Sequence, residues 1–428
     1  MDLSHFESLY PENTRFTELE KILSFIKEGN SCQIVSVGGV GRSNLLGLLS
    51  YNTKVRLKHL GAGQKNFHFV NINLSEVKNK PNSEVTKFIF LELLDSLRER
   101  KLHKEYAEIS KILKETIEFS DELVTFQGLK KTIDYLAIEK NLTVVLLFDR
   151  FEIFVSTATP DFFSNLRILR NRAKYHFSCI FSINKPLEDI FEKEFLADFY
   201  EFVATHTIYL PIIDKPGLDF RISYLQNAVG KKLPKKTIDD VVSQTGGHGK
   251  LTRICVELGL NGIEDFASQK PVQGVLLEIL SSLDVSEQNA LGKGASNSYL
   301  EEIGLSKNGK ITIPLLQTFL RQNQSGNQKK GILFDPKTNQ IKRGEQILSD
   351  NLTSSEFKLF KFLIENRNRI LERQEIIESV WKDTKTRLGV TDQALDQLIS
   401  RLRKKVEEDP NSPIHLLTIK GRGFKFQS

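Results

Sequence analysis

The sequence has few of the residues that cross-link a chain or anchor it in a membrane. Its 428 residues include three cysteines, one methionine and one tryptophan. Cys32, Cys179 and Cys255 lie far apart and match no zinc-binding spacing, so we expect buried, reduced thiols. No run of 18 apolar residues occurs, and the first residues do not resemble a signal peptide. These features predict a cytoplasmic protein that does not associate with membranes.

The overall composition is that of a globular protein with more than one domain. Hydrophobic residues make up 39% of the chain and charged residues 27%, and 428 residues exceed what one ordinary core accommodates. The net charge is +6, and residues 331–428 contain 18 Lys and Arg against 14 Asp and Glu. Most of that local excess lies between Arg401 and Lys425. Such a surface suits a polyanion, although it could equally be a solvated face.

A glycine-rich stretch, SVGGVGRSN at positions 36–44, is the most informative part of the first half. An apolar run precedes it and leucines at helical spacing follow it, which predicts a strand, a loop and a helix. Backbone N–H groups in that arrangement can hold phosphates. The phosphate-loop pattern G-x-x-x-x-G-K-[ST] is incomplete here, because Ser36 replaces the first glycine and Arg42 replaces the lysine. A simple strand-to-helix turn is the alternative.

An acidic residue ends the next apolar run. Residues 143–149 predict a buried parallel strand with Asp149 at its carboxyl end, where α/β sheets bind ligands. The run matches the Walker B pattern, whose aspartate serves the Mg²⁺ ion of a bound nucleotide. Glu152 could reach the same place if the strand end turns; otherwise it is an exposed helix residue.

The order of these segments resembles that of the STAND and NB-ARC signalling NTPases, a branch close to the AAA+ ATPases. The glycine loop is similar to their G-x-G-G-x-G-K-T-T-L loop, and Arg15 with Glu18 and Leu19 is similar to their G-R-x-x-E-L segment, which wraps the adenine. The resemblance implies an α/β P-loop NTPase, with a parallel sheet and flanking helices, over residues 1–214. A helical lid is implied over residues 215–268.

The same resemblance implies a site for ATP or ADP with Mg²⁺. The implied residues are, for nucleotide binding, Arg15, Gly38, Gly39, Val40, Gly41, Arg42, Ser43, Asn44 and His248; for the metal, Ser43 and Asp149; and for catalysis, Asp149, Glu152 and Asn184, the last resembling sensor 1. Arg42 replaces the loop lysine, and Arg150 stands where AAA+ enzymes usually carry a glutamate. We therefore expect binding with slow or absent hydrolysis. For Arg15 and His248, a purely structural role is the alternative.

Three further expectations concern local structure. Thr17 is a plausible N-cap for the first helix. Residues 269–322 predict a winged-helix-like helical module with a hairpin turn at Asn308–Gly309. This module lacks a basic recognition helix, so we expect it to pack against the NTPase. Residues 322–330 are polar and predict a linker.

Residues 331–428 resemble the OmpR/PhoB-type winged helix of bacterial response regulators. Short strands are predicted first, then a helix whose capping box is marked by Glu356, a long helix at 391–405 and a hairpin at 417–426. The resemblance implies that the long helix enters the major groove of double-stranded DNA and that the hairpin is the wing. Relatives often carry Arg at the position of Gln393 and His at that of Leu398, so the preferred DNA sequence should differ.

The residues that this second resemblance assigns to DNA combine possible base contacts on the helix with phosphate contacts on helix and wing. They are Gln393, Gln397, Ser400, Arg401, Arg403, Lys404, Thr418, Lys420 and Arg422. Together the two halves predict a transcriptional regulator in which ATP alters self-association, giving a nucleotide-dependent homo-oligomer, and so controls DNA binding. Two alternatives stay open. One is an initiator or mobile-element ATPase acting on DNA, and the other is a STAND-type defence or signalling scaffold whose winged helix binds protein.

Overall fold

The computed structural model divides the chain into two compact units, residues 1–319 and 320–428. Lys420, one of the predicted DNA-contacting residues, lies outside the part of the chain that the structure describes. The described residues are 5–117, 121–196, 199–330, 332–335, 338–343, 346–367, 369–382, 391–407, 409–410, 413–419 and 421–427.

A five-stranded parallel sheet forms the centre of the first unit. Its strands are β1 (Cys32–Val35), β2 (Phe67–Asn73), β3 (Thr143–Asp149), β4 (Phe177–Ile183) and β5 (Thr207–Tyr209). Their order across the sheet is β2-β3-β4-β1-β5, and all neighbouring pairs are parallel. Every residue of β1, β3 and β4 is buried, as expected for strands covered on both faces. The carboxyl ends of β1 and β3 therefore lie at one edge, separated by β4.

Helices cover this sheet, and a cluster of phenylalanines fills one side of the core. The rings of Phe148, Phe151 and Phe181 contact one another with centroids 5.0–6.2 Å apart.

The predicted N-cap at Thr17 is wrong, since the first α-helix begins at Phe16. The helices are α1 (Phe16–Lys27), α2 (Arg42–Tyr51), α3 (Thr53–Leu60), α4 (Asn82–Glu99), α5 (His103–Ile117), α6 (Glu122–Ile133), α7 (Pro160–Ala173), α8 (Leu187–Ile190), α9 (Lys193–Leu196) and α10 (Tyr200–Val203).

The rest of the first unit is almost entirely helical. The hairpin predicted at Asn308–Gly309 is confirmed, because Ser306 and Lys307 pair antiparallel with Ile311 and Lys310 across it. Residues 322–330 are not an irregular linker; they continue the last helix of this series. The elements are α11 (Lys215–Val229), α12 (Lys235–Thr245), α13 (Gly249–Leu260), α14 (Lys270–Ser281), α15 (Val285–Lys293), α16 (Ser298–Glu302), β6 (Ser306–Lys307), β7 (Lys310–Ile311) and α17 (Pro314–Lys330).

The second unit includes the end of α17, and its described residues after that helix form two small antiparallel sheets and three helices. Thr353 and Glu356 form the predicted capping box, each side chain bonding to the backbone N–H of the other. The sheet orders are β10-β9-β8 and β11-β13-β12. The elements are β8 (Ile332–Asp335), β9 (Gln340–Arg343), β10 (Gln346–Ile347), α18 (Ser354–Glu365), β11 (Ile370–Leu371), α19 (Arg373–Val380), α20 (Asp392–Val406), β12 (Leu416–Ile419) and β13 (Gly423–Phe426).

The three cysteines are free and buried, as the sequence predicts. Burial in apolar surroundings raises the pKa of the Cys32 and Cys179 thiols well above the usual value, and raises that of Cys255 to about 12. Among the described helices, none combines the length and apolar character that crossing a bilayer requires.

Candidate functional sites

A cleft of about 530 Å³ opens at the carboxyl edge of the parallel sheet. The glycine loop between β1 and α2 forms one wall, and residues from the helices after the sheet form the opposite one. The residues that line it include Arg15, Asp149, Glu152, Gly249 and Lys250. The structure thus brings together most of the residues that the sequence predicts for nucleotide binding.

The glycine loop has the backbone geometry of an anion cradle. Gly39 and Gly41 have φ values of +82° and +108°, which residues other than glycine rarely adopt. Gly41 is the N-cap of α2, so the N–H groups of the first turn have no acceptors within the helix, and the residues that carry them line the cleft. Ser43 is exposed in that first turn, and the Asn44 amide donates to the Tyr10 hydroxyl at 3.3 Å. This arrangement is suited to phosphate groups.

Arg42 forms an ion pair across the cleft floor with Glu152. Its Nη2 donates to Glu152 Oε1 at 2.7 Å, and only 9% of the arginine side chain is exposed. The chain turns sharply after β3, because Arg150 has a left-handed φ of +55° and residues 151–153 form a 3-10 turn. That turn points Glu152 back to the loop. Of the two roles left open for Glu152, the structure therefore supports the one in which it reaches the site, as the counter-ion of Arg42.

Asp149 is buried at the end of β3 and is held by two donors. Its Oδ1 accepts from the backbone N–H of Arg150 at 2.9 Å and from the hydroxyl of Ser182 at 3.2 Å. Ser182 lies on the neighbouring strand, β4, and was not predicted. Asn184 comes just after that strand, and its carbonyl accepts from the hydroxyl of Tyr299. The sequence marks Asn184 rather than Ser182, and Asn184 is not among the described residues that line the cleft.

His248 connects the lid to the glycine loop. It is fully buried, its Nδ1 accepts from the N–H of Leu251 at 3.3 Å, and its Nε2 lies 2.9 Å from the carbonyl oxygen of Gly38. Nδ1 can accept only if it is unprotonated, so Nε2 carries the proton and donates to Gly38. Burial lowers the pKa of His248 to about 4. A second bond, from Lys250 N–H to Gly39 O at 2.9 Å, reinforces this contact.

Arg15 supports the loop from the opposite side. Its guanidinium donates to the carbonyls of Pro211 at 2.7 Å and Val40 at 2.9 Å, and its backbone N–H donates to Asp214 at 3.2 Å. Burial lowers the pKa of this guanidinium. These bonds fit the structural alternative for Arg15, although the side chain also lines the cleft.

An acidic residue from the helical module after the lid reaches the loop. Glu278 on α14 pairs with Lys250 at 2.5 Å, and a side-chain carbon placed on Gly38 would lie 3.0 Å from the Glu278 carboxylate. The same module contacts the sheet edge elsewhere, because Lys185 pairs with Glu287. Sequence reasoning predicted this packing but missed both residues, since neither belongs to a motif.

In the second unit, α20 presents a polar face and a buried apolar face. Five of the residues predicted to contact DNA are exposed along it: Gln393, Gln397, Ser400, Arg401 and Lys404. The residues between them are in the core: Leu395, Leu398, Ile399 and Leu402. This alternation follows the helical repeat, so the outward side chains are free of the packing that holds the helix in place.

Two other predicted DNA contacts join the helix to the wing. The Arg403 guanidinium donates to the carbonyl of Leu416 at 3.0 and 2.7 Å and to the hydroxyl of Thr418 at 2.8 Å. Arg422 is exposed in the turn between β12 and β13. Gly423, at the start of β13, has a φ of +126°, and a side chain there would collide with the carbonyl of Leu371. The wing is thus fixed at both ends.

No group of three or more His, Cys, Asp or Glu side chains suited to a metal ion occurs within the described ranges. A Mg²⁺ ion bound through nucleotide phosphates needs only one or two protein ligands. Asp149, buried at the cleft floor, and Ser43, exposed in the first turn of α2, are residues of the right chemistry for that arrangement.

Comparisons with known proteins concern mainly the second unit. Residues 349–426 match the family described as "Transcriptional regulatory protein, C terminal". The sensory transduction protein RegX3 of Mycolicibacterium smegmatis is 41% identical over 81 residues, which are 18% of this chain and 32% of that protein. The probable transcriptional regulator ycf27 of Galdieria sulphuraria is 39% identical over 94 residues, 22% of this chain and 36% of that protein. The chain thus spans about a third of the length of the curated relatives it matches.

For the larger unit, the similarity to solved structures is weak. The Walker-type ATPase PABY2304 of Pyrococcus abyssi covers 74% of this chain and 97% of its own at 14% identity, with a TM-score of 0.45. A likeness of that size carries no argument about function. The fold class rests instead on the parallel sheet, the glycine loop after β1 and the acid that ends β3. The chain therefore joins an α/β unit with a glycine loop at the carboxyl edge of its parallel sheet to a C-terminal unit that matches a family of transcriptional regulatory proteins over residues 349–426.

Proposed function

We propose that this protein is a transcriptional regulator whose binding to double-stranded DNA is controlled by an adenine nucleotide. One observation carries the proposal: a cleft with an anion-cradling loop and a winged helix with an exposed polar recognition face occur in the same chain. A nucleotide that binds differently to two shapes of the first unit would shift the balance between them. That shift is the regulatory event.

In this proposal residues 1–322 comprise an NTPase domain (1–214), a lid (215–268) and a winged-helix-like module (269–322). The loop N–H groups hold the phosphates, and Ser43 and Asp149 hold Mg²⁺, which supplies charge neutralisation at the phosphates when bound. The lid already contacts the loop through His248. A nucleotide in the cleft therefore touches both the sheet edge and the lid, and its binding changes the contact between them.

Hydrolysis is proposed to be slow or absent. The side chain best placed to activate water, Glu152, is committed to Arg42 at 2.7 Å. The residue directly after Asp149 is Arg150, which cannot act as a general base because its guanidinium stays protonated. A switch governed by occupancy does not need fast turnover.

DNA binding is assigned to residues 331–428. Of the exposed residues of α20, Gln393, Gln397 and Ser400 read bases in the major groove. Arg401, Lys404, Lys420 and Arg422 contact phosphates. Nucleotide-dependent self-association is proposed to pair two such winged helices on one DNA site. Binding through roughly five phosphate contacts should weaken steeply with salt, whereas a scaffold that binds protein through its winged helix would show a flat response.

The decisive experiment measures DNA binding by the full chain with ATP, with ADP and without nucleotide, each with Mg²⁺. The proposal expects DNA affinity to differ between nucleotide states and to fall with salt in each. The matched control is Asp149→Asn, which keeps the side-chain size but removes the charge, and which should abolish the effect of Mg²⁺ on nucleotide binding. Identical DNA affinity in all three states would refute nucleotide control. The absence of a calorimetric signal for either nucleotide would refute the nucleotide site as well.

A further inference from the structure

The Arg42–Glu152 pair bears on which nucleotide the cleft holds, an inference that rests on the proposed function. A guanidinium has two terminal nitrogens in a rigid plane, whereas the lysine usual at this position has one mobile nitrogen. Nη2 of Arg42 is committed to Glu152 Oε1 at 2.7 Å. Nη1 is buried and has no hydrogen-bond partner among the described residues. One donor is thus occupied within the protein, and the other is available for one phosphate group.

We propose that the cleft selects a nucleoside diphosphate over the corresponding triphosphate. A diphosphate held by the loop uses Nη1 of Arg42 and leaves the pair with Glu152 intact. A third phosphate needs the cation that Glu152 already holds. It can be accommodated only after the carboxylate is displaced from Arg42.

The charges at this end of the cleft oppose a third phosphate. Asp149 and Glu152 both line the cleft, and Asp149 is buried. The second carboxylate oxygen of Glu152, Oε2, is buried and has no partner within the described part of the chain. An additional phosphate dianion placed against these oxygens is repelled by both, because the surroundings exclude most water and screening is weak.

Displacing Glu152 is unfavourable because the pair is largely shielded from solvent. The exposed fractions of the two side chains are 9% for Arg42 and 28% for Glu152. Separating them leaves a carboxylate that water reaches only in part, and a buried charge without a partner costs more than the pair gained. The diphosphate avoids this cost, so discrimination comes from an unfavourable contact with the wrong ligand rather than from an extra contact with the right one.

The test compares ADP and ATP affinities by isothermal titration calorimetry with the full-length protein, once in EDTA and once in Mg²⁺. The parent should bind ADP at least about tenfold more tightly than ATP in EDTA, and the ratio should shrink in Mg²⁺, which neutralises phosphate charge. In Glu152→Gln, which keeps the side-chain shape, ATP affinity should rise about tenfold and ADP affinity should change little. Circular dichroism shows whether each variant is folded, and Glu152→Ala serves as a second variant.

Glu278→Gln is the matched control. It removes the same charge from the same cleft, but Glu278 pairs with Lys250 rather than Arg42. It should change both affinities by a similar factor. Tighter binding of ATP than of ADP in the EDTA-treated parent, or an unchanged ratio in both Glu152 variants, would overturn the inference while leaving nucleotide binding intact. Binding of neither nucleotide would refute the proposed function and the inference together.

Discussion

Nε2 of His248 lies 2.9 Å from the carbonyl oxygen of Gly38, so one buried side chain of the lid holds the backbone of the glycine loop. The two residues are 210 positions apart in the chain. The contact means that the lid and the loop form one unit in this structure. Any ligand that reshapes the loop must also act on the lid, which gives the proposed switch its physical basis.

The first prediction concerns the space between loop and lid. A side-chain carbon on Gly39 would lie 2.7 Å from the His248 ring and 2.9 Å from Cβ of Lys250, so Gly39→Ala should force the two apart. The matched control is Gly61→Ala, since Gly61 also has a positive φ but no atom within 4 Å. We expect Gly39→Ala to lower the free energy of unfolding by about 1–3 kcal/mol more than the control does. Urea denaturation measures both, and equal losses would show that the contact is unimportant.

The second prediction concerns pH. Burial lowers the pKa of His248 to about 4. The negative charge of Glu278 partly offsets this decrease, and the positive charge of Lys250 adds to it. In the unfolded chain the His248 ring becomes protonated near its ordinary pKa of 6.5, whereas in the folded protein it stays neutral until the pH falls to about 4. Stability supplied by this histidine is therefore complete above pH 6.5 and is lost as the pH falls toward 4.

His248→Asn tests that relationship, because asparagine can still cap α13 but has no titrating group. Thermal unfolding midpoints of the parent and the variant should converge between pH 7 and pH 5. Parallel midpoint curves over that range would contradict the assignment of the buried, neutral histidine. Burial lowers the pKa of His68 to about 3. Because His68 is present in both proteins, its titration affects both midpoint curves equally and does not change the difference between them.

The third prediction concerns the outward face of α20. Arg401 is exposed there, so Arg401→Ala should weaken DNA binding and lower the slope of log affinity against log salt by about one. Arg98→Ala is the control, because it removes an arginine in the first unit that is 65% exposed and pairs with Asp95, three residues earlier. Nucleotide binding should be unchanged in both variants. If Arg401→Ala lost nucleotide binding as well, misfolding rather than a missing DNA contact would explain it.

The fourth prediction separates a positioning role from a phosphate contact. Arg403 donates three hydrogen bonds to the wing, at Leu416 and Thr418. Arg403→Ala should therefore lower the stability of the C-terminal unit by about 1–3 kcal/mol and weaken DNA binding with little change in the salt slope. Thr418→Val, which removes one of these bonds and keeps the shape, should show a smaller loss. A salt slope reduced by one without a loss of stability would instead make Arg403 a phosphate contact.

The sequence predicted the elements with strong local patterns. The strand Thr143–Asp149 has the predicted bounds, because a continuous apolar run ended by an acid has few other interpretations. The capping box at Thr353 and Glu356 and the hairpin at Asn308–Gly309 are equally local. The winged helix was recognisable because its landmarks occur in a fixed order, whereas its DNA-contacting residues stay a prediction.

The contacts that define the cleft were beyond sequence reasoning. Arg42 and Glu152 are 110 residues apart, and their pairing depends on the left-handed turn at Arg150, which no common motif marks. Ser182, which donates to Asp149, lies within β4 and belongs to no motif that the sequence marks. In each case the deciding factor is the direction in which a side chain points, and composition does not contain that information.

The buried cysteines have a practical consequence for observing the proposed switch. All three thiols are enclosed and hold their protons, so they react slowly with maleimides in the folded protein. Fluorophores attached to cysteines introduced at the exposed positions Lys236 on α12 and Ser286 on α15 would therefore report on these two helices without removal of a native cysteine. Energy transfer between the two labels can thus test whether a nucleotide changes the distance between the lid and its neighbouring module, with all three native cysteines kept.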